Sequence, residues 1–175
     1  GGTPVTLPGG EIYTAMQTGV IDATEWVGPY NDQTSGLYEA AKYYYYPGWH
    51  EPGSTLEIIV NKPALESLPA DLQAIVEVAA RAANQDMLDE YTARNADALQ
   101  SLIDNHGVQL KKLPDDVLIA MRQASEEVLA EMVEGNDLAQ RVYRSWMDFR
   151  AKSIVYQRIA EQAFVEARDL PYQEN

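Results

Sequence analysis

The stretch Val20–Asp32, VIDATEWVGPYND, joins a strand-like segment to a turn that leads into a helix. The β-branched and aromatic residues of 20–27 predict a buried strand, and Gly28-Pro29 ends it. Glu25 and Trp26 stand side by side where that strand ends. A carboxylate in this position has to be solvated, paired with a cation or bound to a ligand.

The segments around this stretch alternate between helix and strand. Residues 11–18 predict a short helix with Gly19 in the left-handed position after its end. Asn31 or Asp32 can cap a helix through residues 37–42. Segments rich in β-branched and aromatic residues predict strands: 5–7, 20–27, 43–46 and 55–60. This alternation predicts an α/β fold for the first third of the chain.

Amphipathic helices follow. Pro69 and Asp71 start a helix whose apolar residues recur about every 3.6 positions as far as Ile103, which predicts one buried face. After a strand-like piece at 108–110, Pro114 opens a second helix through Val133. Asp137 is a good cap for a last helix over 138–168, which would be roughly 46 Å long at 1.5 Å per residue. We expect this helix to brace two lobes or to reach a second subunit.

Composition narrows the possible functions. The 175 residues carry a net charge of −14, which argues against nucleic acid and against an anionic membrane surface as partners. The absence of cysteine excludes disulfides, a thiolate nucleophile and cysteine-ligated zinc. No apolar run approaches the ~18 residues of a membrane span, and the first residues do not resemble a signal peptide. Because the chain does not begin with Met, we expect a processed or truncated product.

The candidate site combines acidic and aromatic residues. Ligands of open α/β sheets bind at the carboxyl ends of strands, so Glu25, Trp26, Trp49 and Glu51 could face one cleft. Residues 1–41 contain five acidic residues and neither Lys nor Arg. A small anion would therefore need a bridging cation, or an arginine from outside this segment. Carboxylate oxygens suit hard cations such as Na⁺, Ca²⁺ or Mg²⁺.

Other interpretations stay open at this point. Glu25 could cap a helix or pair with a lysine while Trp26 lies in the core. Two carboxylates could also act as general acid and base in a hydrolase. The helical majority could be an interaction fragment that dimerises without a ligand. We expect His50 to pack against aromatic rings in its loop, and Tyr43–Tyr46 to form a strand with two buried and two solvated rings.

Two motifs resemble a known family. GGEIYTAMQTGVIDATEWVGPYND at 9–32 and YYYYPGWHEPGSTLEIIVN at 43–61 are similar to the periplasmic solute receptors of tripartite ATP-independent (TRAP) transporters, in the branch that binds α-keto acids such as pyruvate. The likeness continues through LPADLQAIVEVAARAA to the terminal helix. It implies an α/β fold, here the C-terminal half of a two-lobe periplasmic binding protein with mixed sheet pieces and long C-terminal helices. It implies a receptor and no enzyme.

The resemblance also implies site residues and partners. A cation, usually sodium and alternatively calcium, would bridge the ligand to the Glu25 carboxylate, the Trp26 backbone carbonyl and the Glu51 carboxylate. Trp26, Tyr30, Trp49 and Glu51 would contact the ligand. The expected partners are a small organic acid, the TRAP permease subunits and a second copy bound through the C-terminal helix, with no nucleic acid.

The same resemblance implies different roles for three segments of the chain. Residues 1–66 would line the ligand cleft, 67–136 would form the helical part of a lobe, and 137–175 would be the brace or dimerisation element. Family chains are about twice as long, so a ligand-binding arginine and a cation-binding glutamine are expected upstream of residue 1. We expect the isolated chain to be stable only as an oligomer or together with that upstream half.

Overall fold

The computed structural model describes residues 2–49, 51–53 and 57–171. Within these ranges the chain forms eight α-helices and two β-strands. The helices are α1 Gly9–Thr18, α2 Pro29–Thr34, α3 Leu37–Ala40, α4 Lys62–Glu66, α5 Ala70–Asp104, α6 Asp115–Val133, α7 Asp137–Ile159 and α8 Glu161–Arg168. The strands are β1 Tyr43–Tyr46 and β2 Gln109–Lys112. No helix in the described ranges combines the length and the apolar composition needed to cross a membrane.

The chain divides into two compact units between Leu113 and Pro114. Neither boundary expected from the sequence, at 66/67 or at 136/137, coincides with this division. The division lies at the proline that opens α6, since proline favours the first turn of a helix and disfavours continuation of a strand. The roles assigned to the three segments from the sequence stay predictions.

The sheet of the first unit is small and parallel. Tyr43 pairs with Gln109 and Tyr46 with Lys112, and backbone hydrogen bonds extend the ladder by one residue at each end. The predicted strand at Tyr43–Tyr46 is therefore confirmed. The expectation of two buried rings was wrong. Among the four, Tyr44 alone is half-buried, with its hydroxyl on Asp32 of α2, while the other three are exposed.

Three other predicted strands do not form in the described residues. Segment 20–27 is an irregular loop, and 57–60 forms no regular element, with Ile59 85% exposed; residues 55–56 of that prediction lie outside the described ranges. Residues 5–7 likewise form no strand. A strand needs a hydrogen-bonded neighbour. No described strand pairs with these segments, although their composition suits a sheet.

The core of the first unit lies at the C-terminal end of α5. Ala98 and Leu102 are buried there, and Ala15 and Val108 are buried in the same unit. The predicted helix from 70 to about 103 is confirmed. The prediction of one continuous buried face along this helix was wrong, because no described element covers the apolar residues of its first half. Those exposed residues include Leu72, Ile75, Val78 and Leu88.

Short polar and proline signals set other helix ends. Helix α4, which the sequence analysis did not predict, begins where the Asn61 side chain accepts a hydrogen bond from the Ala64 N–H group at 3.1 Å. The single helix predicted through 37–42 is wrong. The chain forms two short helices there, α2 and α3, separated by Gly36 at φ 70°.

The second unit contains α6, α7 and α8. Helix α6 begins after Pro114 as predicted. The cap of α7 is Asn136, whose side chain accepts from the Ala139 N–H group at 3.0 Å, and Asp137 is the first helical residue. The single helix predicted over 138–168 was wrong. It is broken at Ala160, with φ −104° and ψ −100°, although no proline or glycine lies nearby to signal a break.

Candidate functional site

The Glu25–Trp26 pair lies on the loop that joins α1 to α2. Gly19 adopts φ 73° after α1, and the two N–H groups that follow it donate to the Ala15 carbonyl at 2.9 and 3.3 Å. These bonds fold the start of the loop back onto the end of the helix. Glu25 and Trp26 lie further along and are exposed, Trp26 to 40%. The predicted pair is therefore accessible, but on a loop and not at the end of a strand.

The indole of Trp26 rests against the first turn of α1. A Cβ atom added to Gly9 would stand 2.7 Å from Trp26 Cη2 and 3.2 Å from Cζ3. The ring also borders a cavity of about 190 Å³, lined by Gly9, Gly10, Ile12, Tyr13, Trp26, Ser35 and Leu37. The absence of a side chain at position 9 thus allows the ring to approach the helix backbone.

Asp32, in the first turn of α2, is the residue that fixes the end of this loop. It is 8% exposed, and no other charged residue in the described ranges is buried. One carboxylate oxygen, Oδ1, accepts hydrogen bonds from the Val27 and Gly28 N–H groups, each at 3.3 Å. The other, Oδ2, accepts from the Tyr44 hydroxyl at 2.5 Å. Sequence reasoning treated Asp32 as a helix cap and missed its link to β1.

Tyr44 responds to this arrangement. Burial raises the pKa of its hydroxyl far above the ordinary value of a tyrosine, and the hydrogen bond to Asp32 and the charge of that carboxylate raise it further. All three effects act in the same direction because each disfavours the phenolate. Tyr44 therefore stays a hydrogen-bond donor to Asp32 throughout the neutral pH range.

Tyr30 lies where α2 meets α5. Its N–H group donates to Asn95 Oδ1 at 3.0 Å and its hydroxyl to Glu90 Oε1 at 3.2 Å. The guanidinium of Arg94 lies 5.3 Å from the ring centroid, and the Tyr91 ring meets Tyr30 edge-on at 6.1 Å. These contacts attach the Glu25–Trp26 loop, through α2, to the long helix. A contact between Tyr30 and a ligand stays a prediction.

Trp49 and Glu51 lie on the turn that follows β1. Both are exposed. A Cβ atom on Gly48 would stand 3.5 Å from the Glu51 carbonyl oxygen, so the backbones of Gly48 and Glu51 lie close together. Glu51 thus stays near the end of the strand that carries Tyr44. His50, expected to pack against aromatic rings, lies outside the described residues.

The structure links the two candidate segments through one pair of residues. The loop with Glu25 and Trp26 ends at the N–H groups that bind Asp32, and the turn with Glu51 begins after the strand that presents Tyr44. In the part of the chain that the structure describes, no group of three or more His, Asp or Glu side chains could hold a metal ion. A cation shared by Glu25 and Glu51 stays a prediction.

Residues 1–136 match the sequence pattern of the bacterial extracellular solute-binding proteins of family 7. The chain belongs to this family. A similar protein, a monocarboxylate 2-oxoacid-binding periplasmic protein of Nostoc sp., is 40% identical over 158 residues, which cover 90% of this chain and 43% of the relative.

Solved structures of similar proteins show the same fold. A TRAP periplasmic solute binding protein from Pseudoalteromonas atlantica T6c with bound sodium and pyruvate is 36% identical, with a TM-score of 0.87 over 95% of this chain and 50% of that protein. A TRAP solute binding protein from Bordetella bronchiseptica RB50, a mixed-occupancy dimer with calcium and picolinate in one active site, is 37% identical, with a TM-score of 0.89 over 94% of this chain and 49% of that protein.

These matches confirm the predicted resemblance and the predicted fold class. The family 7 chain described here spans about half the length of the relatives it matches. The small parallel sheet and the long helices correspond to part of a two-lobe solute-binding fold. The strand content expected from the sequence was too high, and the helical content too low, for this part of the fold.

Proposed function

We propose that the protein is a periplasmic receptor that binds a small 2-oxo monocarboxylate similar to pyruvate through a bridging cation and delivers it to a TRAP permease. The observation that supports this most is the position of Glu25 and Trp26 on an accessible acidic loop in a chain of family 7. The names of the relatives support the ligand class, since they include a 2-oxoacid-binding protein and a structure with pyruvate. The role is that of a receptor and not of an enzyme.

The charge around the loop favours a bridging cation. Residues 1–41 hold Glu11, Asp22, Glu25, Asp32 and Glu39 but no Lys or Arg. Two cationic side chains of the first unit are already engaged: Arg94 with Glu90 at 2.8 Å, and Lys42 with the Tyr38 carbonyl at 3.4 Å. An organic acid near Glu25 would be repelled unless a positive ion lay between them.

The residues present suit a hard cation. Glu25 and Glu51 offer carboxylate oxygens, and the Trp26 carbonyl accepts no hydrogen bond from any described residue. Oxygen donors of this kind bind Na⁺ and Ca²⁺. Sodium occurs with pyruvate in one related structure and calcium with picolinate in another. We therefore propose Na⁺ as the bridging cation, with Ca²⁺ as the alternative. The remaining ligands of the cation would be groups other than the described acidic side chains.

The aromatic residues would shape the ligand site. Trp26 is held against α1, so its ring offers an apolar wall that excludes water and strengthens the attraction between cation and carboxylates. Trp49 would supply a second ring, and Tyr30 and Glu51 complete the proposed ligand contacts.

Calorimetry of the protein in its natural length tests this function. We expect pyruvate to bind in sodium or calcium buffer and to bind much more weakly when choline replaces the metal ions. Glu25→Gln should weaken binding at least tenfold, because it removes a charge that the cation needs. Asp22→Asn makes the same charge change on the same exposed loop and should leave the affinity within about twofold. Binding that is independent of both the ion and Glu25 would exclude this mechanism.

We also propose that the receptor pairs with a second copy through α7. Leu138, Val142, Trp146 and Phe149 are exposed on this helix, and one related structure is a dimer. Sedimentation of the natural-length protein should show a dimer that Phe149→Ser converts to a monomer. Ile119→Ser on α6, also at an exposed position, should leave the dimer intact. A monomeric unmodified protein would rule the pairing out.

A further inference from the structure

We infer that Asp32 is a positioning residue for the ligand site, which holds the Glu25–Trp26 loop in a fixed relation to Trp49 and Glu51. The inference rests on the proposed function and names a residue that does not contact the ligand. It is carried by the three hydrogen bonds of the buried carboxylate, which come from two separate parts of the chain.

Burial of a carboxylate is unfavourable unless hydrogen-bond donors replace its water. Asp32 has such donors on both oxygens: two backbone N–H groups of the loop on Oδ1 and the Tyr44 hydroxyl on Oδ2. Hydrogen bonds to a charged acceptor are stronger than neutral ones, particularly where solvent is excluded. The loop and the strand are thus attached to the same rigid group.

The attachment points lie close in sequence to the proposed ligand residues. Val27 directly follows Trp26, so its N–H group fixes the peptide unit that carries the Trp26 carbonyl oxygen. On the other side, Tyr44 lies two residues before the end of β1. Gly48, which lies close to the Glu51 carbonyl, follows two residues after the strand. A shift at Asp32 would therefore move both the Trp26 carbonyl, a proposed cation ligand, and the strand that precedes Trp49 and Glu51.

A neutral cap would not do the same. Asn, Ser or Thr could accept from the N–H groups before α2. A Ser or Thr side chain has a single oxygen to serve both sides, and an amide would present a donor on one side. The carboxylate can accept on both oxygens, which suits a residue that has to join two segments.

The test compares Tyr44→Phe with Tyr45→Phe in the natural-length protein. Tyr44→Phe removes one bond of the Asp32 carboxylate. Tyr45→Phe removes a hydroxyl from the next residue of the same strand, whose side chain is exposed. The three tryptophans, Trp26, Trp49 and Trp146, are labelled with 5-fluorotryptophan and assigned by single Trp→Phe variants. Trp146, in the second unit, is the internal reference.

We expect Tyr44→Phe to move the ¹⁹F resonances of Trp26 and Trp49 by more than a linewidth, with Trp146 unmoved and no such change in Tyr45→Phe. Pyruvate affinity, measured well below the melting temperature, should fall about fivefold, which corresponds to ~1 kcal/mol. A purely structural bond would lower the melting temperature without moving these resonances or the affinity. Asp32→Asn, the second variant, should move the same two resonances.

Unmoved resonances, movement of only one of the two, or an unchanged affinity in a protein that binds pyruvate would overturn the inference. The ¹⁹F measurement needs no ligand. Failure of the proposed function, seen as no binding by the unmodified protein, is therefore distinguishable from failure of the positioning role.

Discussion

The indole of Trp26 lies against Gly9, so closely that a Cβ atom at position 9 would stand 2.7 Å from Cη2 of the ring. Carbon atoms that are not bonded to each other approach favourably only to about 3.5–4.0 Å. Position 9 therefore controls the orientation of the ring that we propose as a wall of the ligand site.

Gly9→Ala should push the Trp26 ring out of its present position. We expect a changed near-ultraviolet circular dichroism spectrum and a pyruvate affinity about fivefold weaker, since an off-rotamer side chain costs of order 1 kcal/mol. Gly10→Ala is the matched control, because a Cβ atom there meets no heavy atom within 4 Å. Equal effects of the two variants would show that helix propensity, and not contact with Trp26, is responsible.

Tyr44 should make the protein lose stability at alkaline pH. The pKa of its hydroxyl is raised in the folded state, so its contribution is fully present below the unfolded pKa of about 10 and is lost as pH rises above that value. The free energy of unfolding, from urea titrations between pH 8 and 11, should fall more steeply than in Tyr44→Phe, by up to ~1.4 kcal/mol per pH unit. Tyr45→Phe should keep the steep dependence, and identical slopes in all three proteins would contradict the raised pKa.

Leu102 should be the leucine of α5 on which the core depends most. It is 2% exposed, and Leu102→Ala should lower the free energy of unfolding by about 2–5 kcal/mol through lost burial and a cavity. Leu88→Ala makes the same change on the same helix at a position that is 56% exposed, and should stay within about 0.5 kcal/mol. Denaturant unfolding of both variants checks this, and similar losses would place the core elsewhere.

Asn136 should stabilise the start of α7 more than its neighbour Asp137 does. Asn136→Ala removes the acceptor of the Ala139 N–H group and should cost about 1 kcal/mol, measured as a lower melting temperature. Asp137→Ala removes only a favourable charge near the helix N-terminus, which contributes about 0.3–1 kcal/mol. The reverse order of the two effects would restore the cap predicted from the sequence.

Helix ends were predictable where they depend on nearby residues. Gly19 and Gly135 adopt positive φ beyond helix ends, and α6 starts after Pro114, as their residue types indicate. The break at Ala160 was not predictable, because the residues around it are compatible with a continuous helix and include neither proline nor glycine.

Strands and burial were less predictable because they depend on distant residues. Val20–Val27 has the composition of a strand, but no strand of the described chain pairs with it. Similarly, the spacing of Leu72, Ile75 and Leu88 reports an apolar face and not what covers it. A periodic pattern fixes the type of an element more reliably than its neighbours.

The candidate site was predictable in part. Charge and motif singled out Glu25, Trp26, Trp49 and Glu51, and these residues stay predictions of function. Asp32 was seen only as a helix cap, since its partner Tyr44 belongs to another segment and a tyrosine run suggests a strand first. One sequence signal could have pointed to its structural role. Asp32 lies four positions after Gly28, in a segment already rich in acidic residues.

The parallel pairing of β1 with β2 has a consequence during synthesis. Tyr43 pairs with Gln109, 66 positions later, so the sheet cannot form until α5 and β2 have left the ribosome. At about 5–20 residues per second this takes several seconds, during which the four consecutive tyrosines of β1 remain without their strand partner. Until residue 112 is available, the backbone edge of β1 that pairs with β2 is an unpaired strand edge, which is a template for association with other chains.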